Sequence, residues 1–179
     1  FRGPDDSGIF INGNVGIGMR RLAIMDPNGP CQPIQNSKKN IHLVFNGEIY
    51  NYLELRQDLE EKGYKFYTDG DVEVLIYLYE EEGVKAINKL NGMFAFSLYD
   101  QNKDLLWIAR DRLGIKPLYY FNDKNKFLFS SDLLALNQIL DKPVSQKSIL
   151  NYLSYSYIPA PYSIFSEIHK LCPGQQIII

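Results

Sequence analysis

Near the middle of the chain, Met93 to Leu98 and Leu105 to Ala109 are almost continuously apolar, with the polar run Asp100 to Asp104 between them. A strand with one wet face alternates apolar and polar side chains, whereas a strand covered on both faces need not. This pair therefore predicts a sheet that is buried on both sides.

The order of the other elements says what covers it. Gly8 to Ile11 and Val15 to Met19 surround Asn12-Gly13-Asn14, a hairpin signal. Arg2 to Gly8 reads as the loop entering it. Arg20-Arg21 interrupts before a short strand at Leu22 to Met25, and Asp26 to Pro33 is a Pro- and Gly-rich loop. One of the two arginines is expected in solvent and the other on the opposite face, toward a carboxylate. Ile41 to Phe45 is the next strand. Tyr52, Leu55 and Leu59 then recur at helical spacing, with Asn51 as N-cap and Gly63 as terminator. A second, mostly apolar helix runs from Val72 to Glu82 and a short one covers Val84 to Leu90. Leu118 to Phe121 and Lys126 to Ser130 form another hairpin, extending the central strands into an antiparallel meander. Helices over Leu133 to Leu140 and Ser145 to Leu153 follow, and Gly174 introduces a final strand. Strands and helices come in blocks, so the fold class is α+β, with sheet packed on sheet and helices outside.

At 179 residues and 45% hydrophobic, the chain is sized for a single domain. Its 19 basic and 21 acidic residues form no long like-charge runs, which argues against nucleic acid and against an anionic membrane as partners. No apolar run approaches a spanning length. Cys31 and Cys172 have no metal-ligand spacing and are too few for a disulfide framework, so a cytoplasmic setting and no metal are expected. Gly13, Gly16 and Gly18 do not match a dinucleotide fingerprint.

The candidate chemistry lies in Phe45 to Tyr52, FNGEIYNY. Asn46 can donate through its side-chain amide, Gly47 can bring a backbone N–H to a ligand, and Glu48 can accept. The residues alone favour a plain turn, since Asn-Gly is a strong turn dipeptide. Arg110, Asp111 and Arg112 read as an ion-paired corner, His42 and His169 as structural, and Tyr152, Tyr155 and Tyr157 as packing.

RGPDDSG, GMRRLAIMD, FNGEIYNY, DGDVEV, LNGMFAFSLYD, ARDRLGIKPLYY and YIPAPYSIFSEIHKLCPG follow one another from Arg2 to Gly174. In that order they resemble the glutaminase half of glutamine-hydrolysing asparagine synthetases, class II glutamine amidotransferases of the N-terminal nucleophile hydrolase superfamily. The resemblance implies a four-layer α-β-β-α sandwich of two antiparallel sheets covered by helices. It implies hydrolysis of glutamine to glutamate and ammonia through a cysteine thioester, the ammonia passing to a synthetase domain of the same polypeptide that uses ATP and Mg. The glutaminase itself would need no cofactor, and a homodimer is left open. Carried over residue by residue, Asn46 and Gly47 resemble the oxyanion hole, Arg21 the group that holds the substrate α-carboxylate, and Asp71, with Glu48 beside it, the acceptor of the α-ammonium. Asp71 can also be read as the N-cap of the second helix. The family's nucleophilic cysteine lies upstream of the Arg-Gly-Pro-Asp turn. Residues 1–179 thus read as one glutaminase-type domain lacking its N-terminal segment and expected to be inactive alone, with 157–179 as a tail toward the synthetase domain. The alternative is a glutamine-binding or regulatory module. By the same resemblance, Phe1 and Met19 stand where many relatives have histidine, and Ala23 where serine is common.

Overall fold

The computed structural model describes Gly3, residues 6–21 and residues 31–179, with Arg21 described by its backbone alone. The chain divides into two compact units, one of residues 1–108 with 177–179 and one of residues 109–176.

In the first unit, Asp6–Asn12 (β1) and Val15–Arg21 (β2) form the expected hairpin. Arg20 and Arg21 do not interrupt it: they pair with Ser7 and Asp6 inside the strand. The loop expected before Gly8 likewise gives way to strand from Asp6 onward. The strand expected at Leu22 to Met25 and most of the following loop lie outside the described residues. Ile34–Gln35 (β3) and Ile41–Ile49 (β4) are antiparallel neighbours.

Tyr52–Glu61 (α1) ends as anticipated, with Tyr64 N–H donating to the Leu59 carbonyl and Gly63 N–H to the Glu60 carbonyl, the pattern of a left-handed helix stop. Asn51 does not cap it. Its side chain instead bridges the chain ahead of the next strand, donating to the Lys89 carbonyl and accepting from Asn91 N–H. Val72–Glu82 (α2) is buried from Glu73 to Tyr79, matching its apolar reading. A 3₁₀ turn over Gly83–Lys89 leads to Gly92–Asp100 (β5) and Leu105–Arg110 (β6).

The two faces of β4 and β5 have different neighbours. Phe45 and Phe96 face the α2 side, where Phe96 meets Trp107 edge-on at 4.7 Å and Tyr79 of α2 stacks on Trp107 at 5.8 Å. His42 and Tyr99 face the hairpin, where Phe10 lies 3.5 Å from the His42 ring. β4 and β5 are therefore covered by helix on one side and by a β-ribbon on the other.

The second unit contains Tyr119–Asn122 (β7), Phe127–Ser130 (β8), Leu133–Leu140 (α3), Gln146–Tyr155 (α4) and His169–Lys170 (β9). β7 and β8 do not continue a meander. They form their own antiparallel sheet with β9, in the order β8-β7-β9. Asp132 caps α3 by accepting from Leu134 N–H, and Ser145 caps α4 by accepting from Ser148 N–H. Gln176–Ile178 (β10) completes the first unit's sheet, whose order is β10-β6-β5-β4-β3.

Candidate active site at the free edge of a strand

The motif Asn46-Gly47-Glu48 is not a turn. β4 runs through it, and the pairing with β5 continues without a bulge from Ile41 opposite Asp100 to Ile49 opposite Gly92. Glycine is required at position 47 for a reason the sequence did not expose. Gly47 has φ 148°, and a Cβ there would lie 2.0 Å from the Met93 carbonyl oxygen and 2.7 Å from Phe94 Cα. The close approach is therefore to the neighbouring strand as much as to any ligand.

Alternate N–H groups of a strand point to the same edge. Phe45 N–H turns away from β5 to Gln32 Oε1 at 2.7 Å, and Ile49 N–H does the same to Asp71 Oδ2 at 2.6 Å. With the register unbroken, Gly47 N–H points to that edge between them. β3 pairs only as far as Leu43, so no described strand covers it. The Asn46 side chain is half-buried and makes no hydrogen bond among the described residues. One unpartnered amide and one outward N–H thus stand on consecutive residues.

Asp71 reaches this edge from the start of α2. Its carboxylate does not cap the helix, since no side-chain cap bond forms and Oδ2 is taken by Ile49 N–H. Burial raises its pKa, the bonds from Ile49 and its own N–H oppose the rise, and the nearby Glu48 charge adds to it. Among the described residues neither Asp71 nor Glu48 has a cationic partner. Two neighbouring carboxylates, one of them partly buried, form a site suited to a cation. The approach of Asp71 is set by Glu73, which is 5% exposed. Its carboxylate accepts from Tyr67 N–H, Thr68 N–H, the Thr68 hydroxyl and the Tyr77 hydroxyl, tying the preceding loop to the helix.

Arg21 lies at the end of β2, opposite Asp6, and its side chain is outside the described residues. The hairpin runs so that this end follows the motif. Phe10 stacks on His42, and four residues back along β1 is Asp6, while four residues on from His42 is Asn46. The structure thus brings Asn46, Gly47, Glu48 and Asp71 together, while Arg21 lies on β2, paired with Asp6 of β1.

The other charged and aromatic candidates make contacts of their own. Arg110 is held by three main-chain carbonyls, those of Gly114, Lys116 and Leu171, while Asp111 accepts from the N–H groups of Leu113, Ile115 and Lys116. The corner is thus organised by charge-to-backbone bonds as well as by any pairing of its charges. Cys31 is exposed with its thiol directed to the Ser7 carbonyl, and Cys172 is half-buried. His42 is buried beneath Phe10, and His169 lies against Tyr120. Tyr152, Tyr155 and Tyr157 are 57%, 61% and 60% exposed, so they do not pack as anticipated. Gln32 and Glu73 were not foreseen, because each acts through backbone N–H groups that only the fold brings to it.

The fold is that of an α+β protein of the N-terminal nucleophile hydrolase type. Two solved structures share the fold: glutamine phosphoribosylpyrophosphate amidotransferase from Bacillus subtilis, with a TM-score of 0.58 and 26% identity over 68% of this chain and 28% of that one, and an allosteric regulatory enzyme of purine biosynthesis, with a TM-score of 0.67 and 23% identity over 92% and 32%. The chain belongs to the glutamine amidotransferase domain family, whose model matches residues 1–179. It is 41% identical to asparagine synthetase 1 (glutamine-hydrolyzing) of Bacillus subtilis over 99% of its own length, and 45% identical to asparagine synthetase B of Escherichia coli over 75%. It spans 28% and 24% of those proteins respectively. No helix among the described residues is long and apolar enough to cross a membrane.

Proposed function

We propose that the chain is the glutaminase region of an asparagine synthetase-type amidotransferase and hydrolyses glutamine to glutamate and ammonia. The observation that carries this reading is the Asn46 amide, unpartnered among the described residues, beside the outward Gly47 N–H, with Asp71 on Ile49 of the same edge. The Asn46 amide, the Gly47 N–H and the Asp71 and Glu48 carboxylates support a glutamine laid along that edge. Arg21 holds its α-carboxylate, Asp71 and Glu48 receive its α-ammonium, and Asn46 and Gly47 hold its side-chain carbonyl oxygen.

The nucleophile is the thiol of a cysteine at the start of the mature protein, upstream of Phe1, whose α-amine takes the thiol proton. Attack on the amide carbon places negative charge on the oxygen, where the Asn46 and Gly47 donors stabilise it. Collapse breaks the C–N bond, the nitrogen leaves as ammonia with the proton that the cysteine α-amine took from the thiol, and a thioester remains. Water then hydrolyses the thioester to glutamate and frees the thiol. The ammonia is consumed by an ATP- and Mg-dependent synthetase region of the same polypeptide, in the cytoplasm. The glutaminase region itself uses no cofactor.

The test is ammonia release from glutamine by the full-length protein and by its Asn46→Ala variant. Loss of one oxyanion donor should lower kcat by about 10²- to 10³-fold. Binding of glutamine by the wild-type protein without turnover would make the region a glutamine-binding module. A wild-type kcat in the variant would remove Asn46 from the oxyanion hole.

A further inference from the structure

We propose that Gln32 is a positioning residue that presents the Gly47 N–H to the substrate, a role that rests on the glutaminase reading above. The register of β3 and β4 sets Ile34 opposite Leu43 and Gln35 opposite His42. Continued by two residues, it places Gln32 opposite Phe45. In that register the acceptor for Phe45 N–H would be the main-chain carbonyl of Gln32, since Ile34 and Asn36 face β4 and Pro33, between Gln32 and Ile34, faces the other edge. Gln32 turns its main-chain carbonyl toward β1 instead, so closely that a Cβ on Gly8 would lie 2.2 Å from that oxygen. Its side-chain oxygen takes the place of the missing main-chain acceptor, 2.7 Å from Phe45 N.

This substitution does two things at once. It ends the β3 ladder, which opens the edge at Gly47, and it leaves no orphaned donor at Phe45, whose buried N–H would otherwise be costly. The next N–H along that edge is Gly47's, roughly 7 Å further on. The one after it is Ile49's, which Asp71 occupies. Among the described residues a single open donor therefore stands between two filled ones, and a carbonyl oxygen arriving at this edge has one backbone N–H to meet. Gln32 is 8% exposed, so its amide is held between β1 and β4 and not free to swing.

The experiment compares steady-state ammonia release by the full-length wild type, Gln32→Met and Gln32→Glu, together with inhibition by L-glutamate γ-semialdehyde, whose thiol adduct carries a tetrahedral oxyanion. Gln32→Met removes the oxygen at similar length. It should lower kcat about 10- to 100-fold, as expected for a displaced catalytic donor, with KM for glutamine within about 2-fold. The inhibition constant of the aldehyde should rise by the same factor as kcat/KM falls. Gln32→Glu keeps an oxygen for Phe45 N–H, so it remains informative if the methionine variant does not fold, and it should stay within about 3-fold of wild-type kcat. Wild-type kcat in Gln32→Met overturns the role, as does a loss confined to KM, or a Gln32→Glu variant that loses about 10-fold or more. These outcomes leave the glutaminase reading standing. A wild-type protein that releases no ammonia overturns that reading, and this role with it.

Discussion

Replacing Gly47 with alanine should destabilise the first unit before any question of catalysis arises. Two costs add. The residue sits at φ 148°, where an L side chain is strained by about 1–3 kcal/mol. The new Cβ would also stand 2.0 Å from the Met93 carbonyl oxygen and 2.7 Å from Phe94 Cα. Both obstacles are backbone of β5, which cannot rotate away as a side chain would. The central strand pair must separate, at a cost typical of overpacking, about 1–3 kcal/mol. The sum is near 4 kcal/mol, which for a domain of this size lowers the melting temperature by about 8–16 °C. Thermal and urea denaturation of wild type and Gly47→Ala measure it directly. Gly63→Ala is the control: its φ is 95° but nothing lies within 4 Å of the added carbon, so it carries the conformational cost without the clash. A Gly47→Ala melting temperature within about 2 °C of wild type, or one no lower than that of the control, would refute the packing argument.

Three further outcomes can be measured. Burial and the Glu48 charge raise the Asp71 pKa, so its folded value lies above the unfolded one and stability falls as pH rises from below the ordinary aspartate range through the folded value. Asp71→Asn removes that term. Its stability relative to wild type should therefore improve between about pH 3.5 and pH 7 in paired urea titrations, and a flat or opposite trend would show that the carboxylate is not held charged against burial. Glu73→Ala leaves Tyr67 and Thr68 N–H without their acceptor, while the Tyr77 hydroxyl can still donate to the Lys65 carbonyl, and should cost about 3 kcal/mol, read as a lower urea midpoint. Arg110→Lys cannot reach the Gly114, Lys116 and Leu171 carbonyls together, and should lower stability by about 2 kcal/mol, with an unchanged midpoint counting against the corner's role.

Local signals carried much of the fold. The hairpin at Gly13, the end of α1 at Gly63, the buried α2 and the two central strands were all legible, because each depends on turn chemistry or on periodicity within a few residues. What failed depended on partners far along the chain. Asn51 looked like a cap, yet residues 89 and 91 claim its side chain. β7 and β8 looked like a continuation of the central strands, but their third partner is β9, almost fifty residues beyond β7.

The candidate site divides in the same way. Asn46, Gly47, Glu48 and Asp71 are residue types whose chemistry can be read without a fold. The reason they work at this edge cannot, because it resides in three backbone N–H groups of β4 and in what occupies each. Asn-Gly is a turn signal because glycine tolerates unusual φ, and β4 uses that same tolerance to stay extended at 148° against β5. Had the chain turned at Gly47, Ile49 would leave the ladder and its bond to Asp71 would be lost. The Asp71 carboxylate, the Asn46 amide and the Gly47 N–H share one edge only because the strand does not turn, so their juxtaposition depends on a local propensity being overridden by tertiary pairing.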